Sequence, residues 1–304
     1  MNMSISILFP FVYLMIGVIL GRFSFEVKYR ASALLTKTVI PFVIVFNIAT
    51  YQSGVFIIMA GIVIIMLMML VMIRIVNKDP VKNLCFCYLN IGWLGLPIAS
   101  SFFGSGAAMV IIAAYIGSSL FGNSVGLGLM AQGENMRARI IKIFKAPPVL
   151  ALVIGLALSP LSIQIMHYGK PSYEVIKFIM SFLGMVILGV WLAETSFEKA
   201  DFKNSLLNFF ARSSLFFILI NLFIQICTYY EVKLVEENIL TLYLICLLPP
   251  AANIIVLETH YMKSGRSASM IAWGTCISIV AIAIYLALIM TFKINPAHGL
   301  FYLA

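Results

Sequence analysis

The chain has 304 residues, 62% of them hydrophobic and 10% charged, with a net charge of +9 and a mean hydropathy of +1.07. A soluble domain carries roughly 25% charged residues to wet its surface, so this composition excludes a soluble globule and points to a polytopic membrane protein. The basic balance, which would suggest nucleic acid in a soluble protein, reads here as a record of orientation, and no nucleic-acid partner is expected.

Ten apolar segments can be marked off in chain order: 4–22, 32–52, 54–76, 83–103, 106–131, 143–162, 174–195, 207–229, 238–258 and 267–292. Most approach the roughly 20 residues that a helix needs to cross the hydrocarbon core. The first has no Lys or Arg before Arg22 and no small-residue cleavage site, so it reads as an uncleaved span. The second carries Lys37 and, after Pro41, Asn47, and the turn Tyr51-Gln52-Ser53-Gly54 leads to the third. Lys37 reads first as a snorkelling side chain and second as an anion attractor. The fifth holds Asn123-Ser124 and a small face of Gly117, Gly122, Gly126 and Gly128, a packing signal. Between it and the sixth, Glu134 to Lys145 reads as a basic interfacial stretch for anionic lipid headgroups. The eighth span contains Asn221 and Gln225, and the tenth Thr275 and Ser278. Singly, each of these polar groups reads as an interhelical hydrogen bond before it reads as a ligand.

Breaks interrupt the fourth and ninth spans. Asn90-Ile-Gly92-Trp93-Leu-Gly95-Leu-Pro97 places two glycines and a proline inside an apolar run, and Leu248-Pro249-Pro250-Ala-Ala-Asn253 does the same in the ninth. Interruptions at matching places in two halves are the best sequence pointer to a transporter binding site, with paired packing kinks as the alternative. Proline suits the first turn of a helix, so Pro97 is expected to start the outer half of the fourth span and Pro249/Pro250 the inner half of the ninth. Two helix N-termini would then face the bilayer centre and favour an anion, with Asn90 and Asn253 supplying amides.

Of the twenty Lys and Arg residues, only Lys170, Lys177, Lys233 and Lys293 fall in one alternating set of loops; the other sixteen share the opposite set. The positive-inside rule makes that richer set cytoplasmic and places both termini outside, in a multi-pass protein of the cell membrane. Pro10, Leu14, Ile16, Gly17 and Leu20 align without gaps on Pro148, Leu152, Ile154, Gly155 and Leu158. If the sixth span repeats the first, residues 1–132 and 133–304 are two five-helix repeats. Five being odd, the repeats are inverted, as in many secondary transporters. The fold class is therefore all-α integral membrane, with ten helices as two inverted repeats and broken helices 4 and 9.

No acidic residue falls at the centre of a span. Glu194 and Glu258 come nearest, and a rim position with snorkelling is preferred over proton coupling for both. The chain has no HExxH, Walker or Gly-x-Ser-x-Gly motif, no metal-ligand spacing among His167, His260 and His298, and five cysteines that read as packing residues. An enzyme, a resident metal and a cofactor are not expected; a coupling ion, H+ or Na+, is left open.

The stretch from Asn90 to Pro97 and on through Phe103-Gly104 resembles the Asn-x-Gly-aromatic-aliphatic-Gly-x-Pro segment of the auxin efflux carrier family, in the bile acid/arsenite/riboflavin transporter superfamily. Pro147-Pro148 to Gly155, Pro249 to Asn253, and Gly274-Thr275-Cys276-Ile277-Ser278 are similar too. The likeness, to bacterial members, spans nearly the whole chain. It departs in Phe182 to Gly189, which lacks a proline, and at Glu258, where a small residue is usual. The resemblance implies a crossover of helices 4 and 9, scaffold and transport domains each built from both repeats, and elevator-like carriage of a small mono- or dicarboxylate. Asn90, Gly92, Gly95, Pro97, Pro249, Pro250 and Asn253 are the expected substrate-binding positions, supported by Asn47, Asn123, Thr275 and Ser278. The rival function is a membrane receptor or sensor that binds such an anion without moving it. Expected partners are the organic anion, membrane lipids and a second copy in a homodimer.

Overall fold

A computed structural model of the protein describes residues 9–21, 31, 34–50, 54–130, 135, 137, 141, 145, 147–194, 199–262 and 264–292. Tyr51, Gln52 and Ser53 of the second turn, and most of the basic stretch 134–145, lie outside the described residues. Every regular element among the described residues is helical. Five helices are long and apolar enough to cross a membrane: Val55–Val76, Gly106–Met130, Val149–Ile187, Asp201–Tyr229 and Ser267–Phe292. Shorter apolar helices run over Val12–Gly21, Lys37–Ala49 and Ile91–Phe102. The protein is a helical membrane protein.

The elements are α1 (Phe9–Gly21), α2 (Ile40–Ala49), α3 (Val55–Val76), α4 (Pro80–Cys87), α5 (Leu96–Phe102), α6 (Ser105–Phe121), α7 (Pro147–Leu158), α8 (Ser162–Glu194), α9 (Lys199–Tyr229), α10 (Ile239–Cys246), α11 (Asn253–Met262) and α12 (Ser267–Phe292). Helix α3 shows why the bundle needs lipid around it. Ile58, Ile62, Met66 and Met69 are buried, while Ile57, Ile64, Met68, Val71 and Ile75 on the other face are exposed. A helix apolar all round is stable only where its outer face meets hydrocarbon.

Two groups of helices emerge from the packing. α1 lies along α8, α7 lies along α2, and α8 also touches α2, which makes a panel. Among the remaining helices α6 contacts α3, α5 and α10, and also α2 and α7 of the panel, and its Ala107, Val110, Ile111, Ala113 and Ala114 are inaccessible; α9 packs on α3, α4, α10 and α12. Within the panel the helices approach closely through glycine. A side chain at Gly17 would run into the Val186 carbonyl, and one at Gly155 would stand 2.7 Å from Ile48 Cβ.

Two expectations about the elements are corrected. α8 begins at Ser162, well before the expected 174, and α9 at Lys199, before the expected 207. α8 runs on through Gly169 and Pro171; the proline removes one ladder bond and its ring crowds the carbonyl four residues back, within a 33-residue helix. At about 1.5 Å per residue, both helices exceed the roughly 30 Å of a hydrocarbon core. Pro97 falls in the first turn of α5, as expected, but it does not mark where the helical chain begins. The chain is already helical from Ile91 through a π-turn, Ile91–Gly95, whose Leu96 N–H bonds Ile91 O. An identical device, Leu35–Val39 with Ile40 N–H on Leu35 O, precedes Pro41. A proline ring collides with the carbonyl four residues back; widening the preceding turn moves that carbonyl aside.

Candidate functional site

The fourth apolar segment is split into α4 and α5, the ninth into α10 and α11, and the two splits meet. Leu89 and Pro250 form an antiparallel bridge: the Asn90 N–H donates to Pro249 O at 2.8 Å, and the Ala251 N–H to Tyr88 O at 2.9 Å. Backbone groups freed in an apolar interior cost several kcal/mol each, and here each break supplies the partners of the other. Pro249 and Pro250 bring no N–H to be orphaned, which is their role in place of the expected helix start: α11 opens later, at Asn253. Its Ile254 and Ile255 N–H groups are held by Ala251 O and Ala252 O, both at 3.1 Å. Glycine makes the meeting tight. A side chain at Gly122 would enter the Tyr88 ring, and one at Gly274 would lie 2.9 Å from Pro250 Cδ.

Beside the bridge lies a cavity of about 260 Å³. Of the expected binding residues, Asn90, Gly92 and Asn253 line it; Gly95, Pro97, Pro249 and Pro250 are buried in the framework behind. Asn90 is 5% exposed, and its Nδ2 has no hydrogen-bond partner among the described residues. Asn253 bonds the Tyr88 hydroxyl, and Tyr115 bonds Ser119. The Ser118 hydroxyl donates to Leu89 O at 3.4 Å. Tyr88, Trp93, Tyr115, Ser118 and Ser119 also line the cavity, and sequence reasoning missed them. Tyr115, Ser118 and Ser119 are spaced to share one helix face, a signal that was legible, whereas an aromatic in an apolar run reads as packing. Lys37, whose first expectation was snorkelling, and Pro147 close the cavity from the panel side.

The supporting candidates sit elsewhere. Asn47 Nδ2 donates to Val43 O at 2.7 Å and to the Tyr173 hydroxyl at 3.1 Å, binding α2 to α8 within the panel. Thr275 donates to Ile271 O at 2.7 Å, and Ser278 is fully buried on the same helix; neither lines the cavity. The Asn123 and Glu194 side chains lie outside the described residues.

Glu258 does not snorkel: its side chain is wholly buried, against the turn that links α11 to α12. Oε1 accepts from Ser264 Oγ at 2.6 Å and the Arg266 N–H at 2.8 Å, and Oε2 accepts from the Ser267 N–H at 2.8 Å. The carboxylate thus caps the first turn of α12 and closes the turn from α11. Arg266 stands 3.8 Å from it and bonds Asp79 at 3.1 Å, while Asp79 caps α4 through the Val81 N–H at 2.9 Å. Arg212 is buried in α9 with its guanidinium 5.5 Å from the Phe209 ring centre. No group of three or more His, Cys, Asp or Glu able to hold a metal occurs among the described residues. Neither protein-family models nor curated proteins give a match to the chain.

Proposed function

We propose that the chain is a secondary transporter that carries a small organic anion by alternating access, with the anion bound at the crossover. The observation that carries this reading is the Asn90 amide, unpartnered among the described residues, buried at the bridged breaks and facing a cavity whose lining holds a lysine and no carboxylate. A buried amide N–H without a partner is costly, and an anion supplies the acceptor that it lacks. The first turn of the helix that opens at Ile91 adds backbone donors, since the first N–H groups of a helix have no internal acceptor. Asn253 adds a second amide. Glu258, already accepting three hydrogen bonds, acts as a structural cap in this reading and leaves coupling to another group.

On this account the chain is a member of the auxin efflux carrier family, with ten crossings, inverted five-helix repeats and both ends outside the cell membrane. The panel contacts support the repeat: the shift along the chain that carries Gly17 onto Gly155 also carries Ile48 onto Val186, so the two close approaches are equivalents. The panel would be the scaffold, and the α6-centred bundle the moving domain.

A thermal-shift screen of purified protein tests the reading, using a panel of pyruvate, lactate, benzoate and succinate, with and without Na+ and across pH. Ligand binding raises apparent stability by mass action. At least one acid is expected to raise the melting temperature of the wild type and none that of Asn90→Ala; stabilisation of both alike contradicts the site.

A further inference from the structure

The cavity is built from two bodies. Tyr88 to Trp93, Tyr115 and Asn253 belong to the bundle, whereas Lys37 and Pro147 belong to the panel. Among the described residues Lys37 is the one charged group in the lining, and no carboxylate there pairs with it. It sits in the π-turn Leu35–Val39, whose wide hydrogen bond holds the chain ahead of Pro41, so its place is fixed by the panel backbone.

We propose that Lys37 is a one-sided charge partner of the substrate. It neutralises a single carboxylate in the conformation seen here, then stays with the panel when the crossover moves away. The proposal rests on the carrier reading above and adds a specificity residue and a sidedness to it. Two consequences follow from the lining. One cation beside one unpartnered amide matches a monoanion; a second carboxylate in the same cavity would be stripped of water with no partner. Lys37 and Pro147 both stand where their helices leave basic flanks, Arg22 to Arg30 and Arg137 to Lys145. These flanks are cytoplasmic by the positive-inside rule, so the cavity faces the cytoplasm in this conformation. Lys37 then strengthens loading from the cytoplasm, and binding from the opposite face depends on Asn90 and Asn253 without it.

Saturable uptake of labelled pyruvate, lactate or succinamate, whichever stabilises the wild type most, is measured in inside-out and right-side-out vesicles. Lys37→Gln is expected to raise the half-saturating concentration on the cytoplasmic face at least tenfold and to leave the other face within twofold. Lys37→Arg should restore the wild-type value, which separates charge from a folding defect. Succinamate should outcompete succinate on the wild type, and Lys37→Gln should lose preference for pyruvate over pyruvamide. An unchanged value on both faces, or an equal rise on both, overturns the proposal. If Lys37→Gln is inert while Asn90→Ala abolishes flux, only this inference fails. If only succinate shows saturable flux in the wild type, this inference alone fails; if Asn90→Ala transports normally, or neither these acids nor benzoate and succinate show saturable flux in the wild type, the carrier reading fails and this inference with it.

Discussion

Asn90 and Asn47 are the same residue type in comparable apolar runs, yet they have opposite fates. The Asn47 amide is spent on Val43 O and the Tyr173 hydroxyl, whereas Nδ2 of Asn90 meets no partner among the described residues. Asn47→Ala should therefore cost about 1–2 kcal/mol of stability, the value of a buried hydrogen bond and the partner that it strands, with ligand affinity within twofold. Asn90→Ala should leave the ligand-free melting temperature near that of the wild type and remove the ligand-induced rise. Paired thermal-shift curves read both. Glu258→Ala removes a cap from α12 and should cost about 2 kcal/mol, seen as a lower melting temperature, with the pH dependence of transport retained. A pH dependence that vanishes in Glu258→Gln would return this carboxylate to coupling. At this scale Asn90, Gly92 and Asn253 were legible because a polar or helix-breaking residue inside an apolar run stands out. Glu258 was not, since the donors that bury it come from Ser264 to Ser267 across a turn that a linear reading does not close.

At the scale of elements, the two breaks were legible as breaks but not as partners in detail. Gly and Pro mark where a helix stops. They do not say that a π-turn would move the restart of the fourth segment from Pro97 back to Ile91, because the i→i−5 bond depends on backbone registry and not on residue type. Nor do Pro249 and Pro250 announce a bridge strand until Tyr88 and Asn90 are placed opposite them. The crossing depends on close approach, so Gly122→Val should push on the Tyr88 ring, lower stability by about 1–3 kcal/mol as overpacking does, and weaken ligand binding through the Tyr88–Asn253 contact. At Gly128, which points away from the Tyr88 contact, an added β-carbon would meet no heavy atom of the described residues within 4 Å outside its own stretch of helix; Gly128→Ala should be tolerated in both melting temperature and binding. The extra length of α8 and α9 escaped the hydropathy reading because α8 runs on through Pro171 and α9 begins in a polar stretch that a hydropathy window leaves out.

For the whole molecule, composition alone called for a lipid-embedded helical protein, and the exposed apolar face of α3 bears that out. The division into panel and bundle came only from packing, since it joins helices far apart in the chain. If alternating access slides one group past the other, a covalent link between them should stop transport while sparing binding. Gly184 of α8 and Trp93 of the bundle are neighbours, a side chain at Gly184 lying 3.4 Å from Trp93 Cα. In a background with the five native cysteines replaced, Gly184→Cys with Trp93→Cys should lose flux on oxidation and regain, on reduction, the flux of the unoxidised double variant, which is the reference because Trp93 lines the cavity. The most direct measurement of the central claim is counterflow of the stabilising acid in proteoliposomes holding wild type, Asn90→Ala or Asn253→Ala. Saturable, trans-stimulated exchange by the wild type and its loss in both variants, each folded as judged by melting temperature, is the predicted result. Full exchange by both variants, or ligand binding by the wild type with no flux across the sealed membrane, would contradict it.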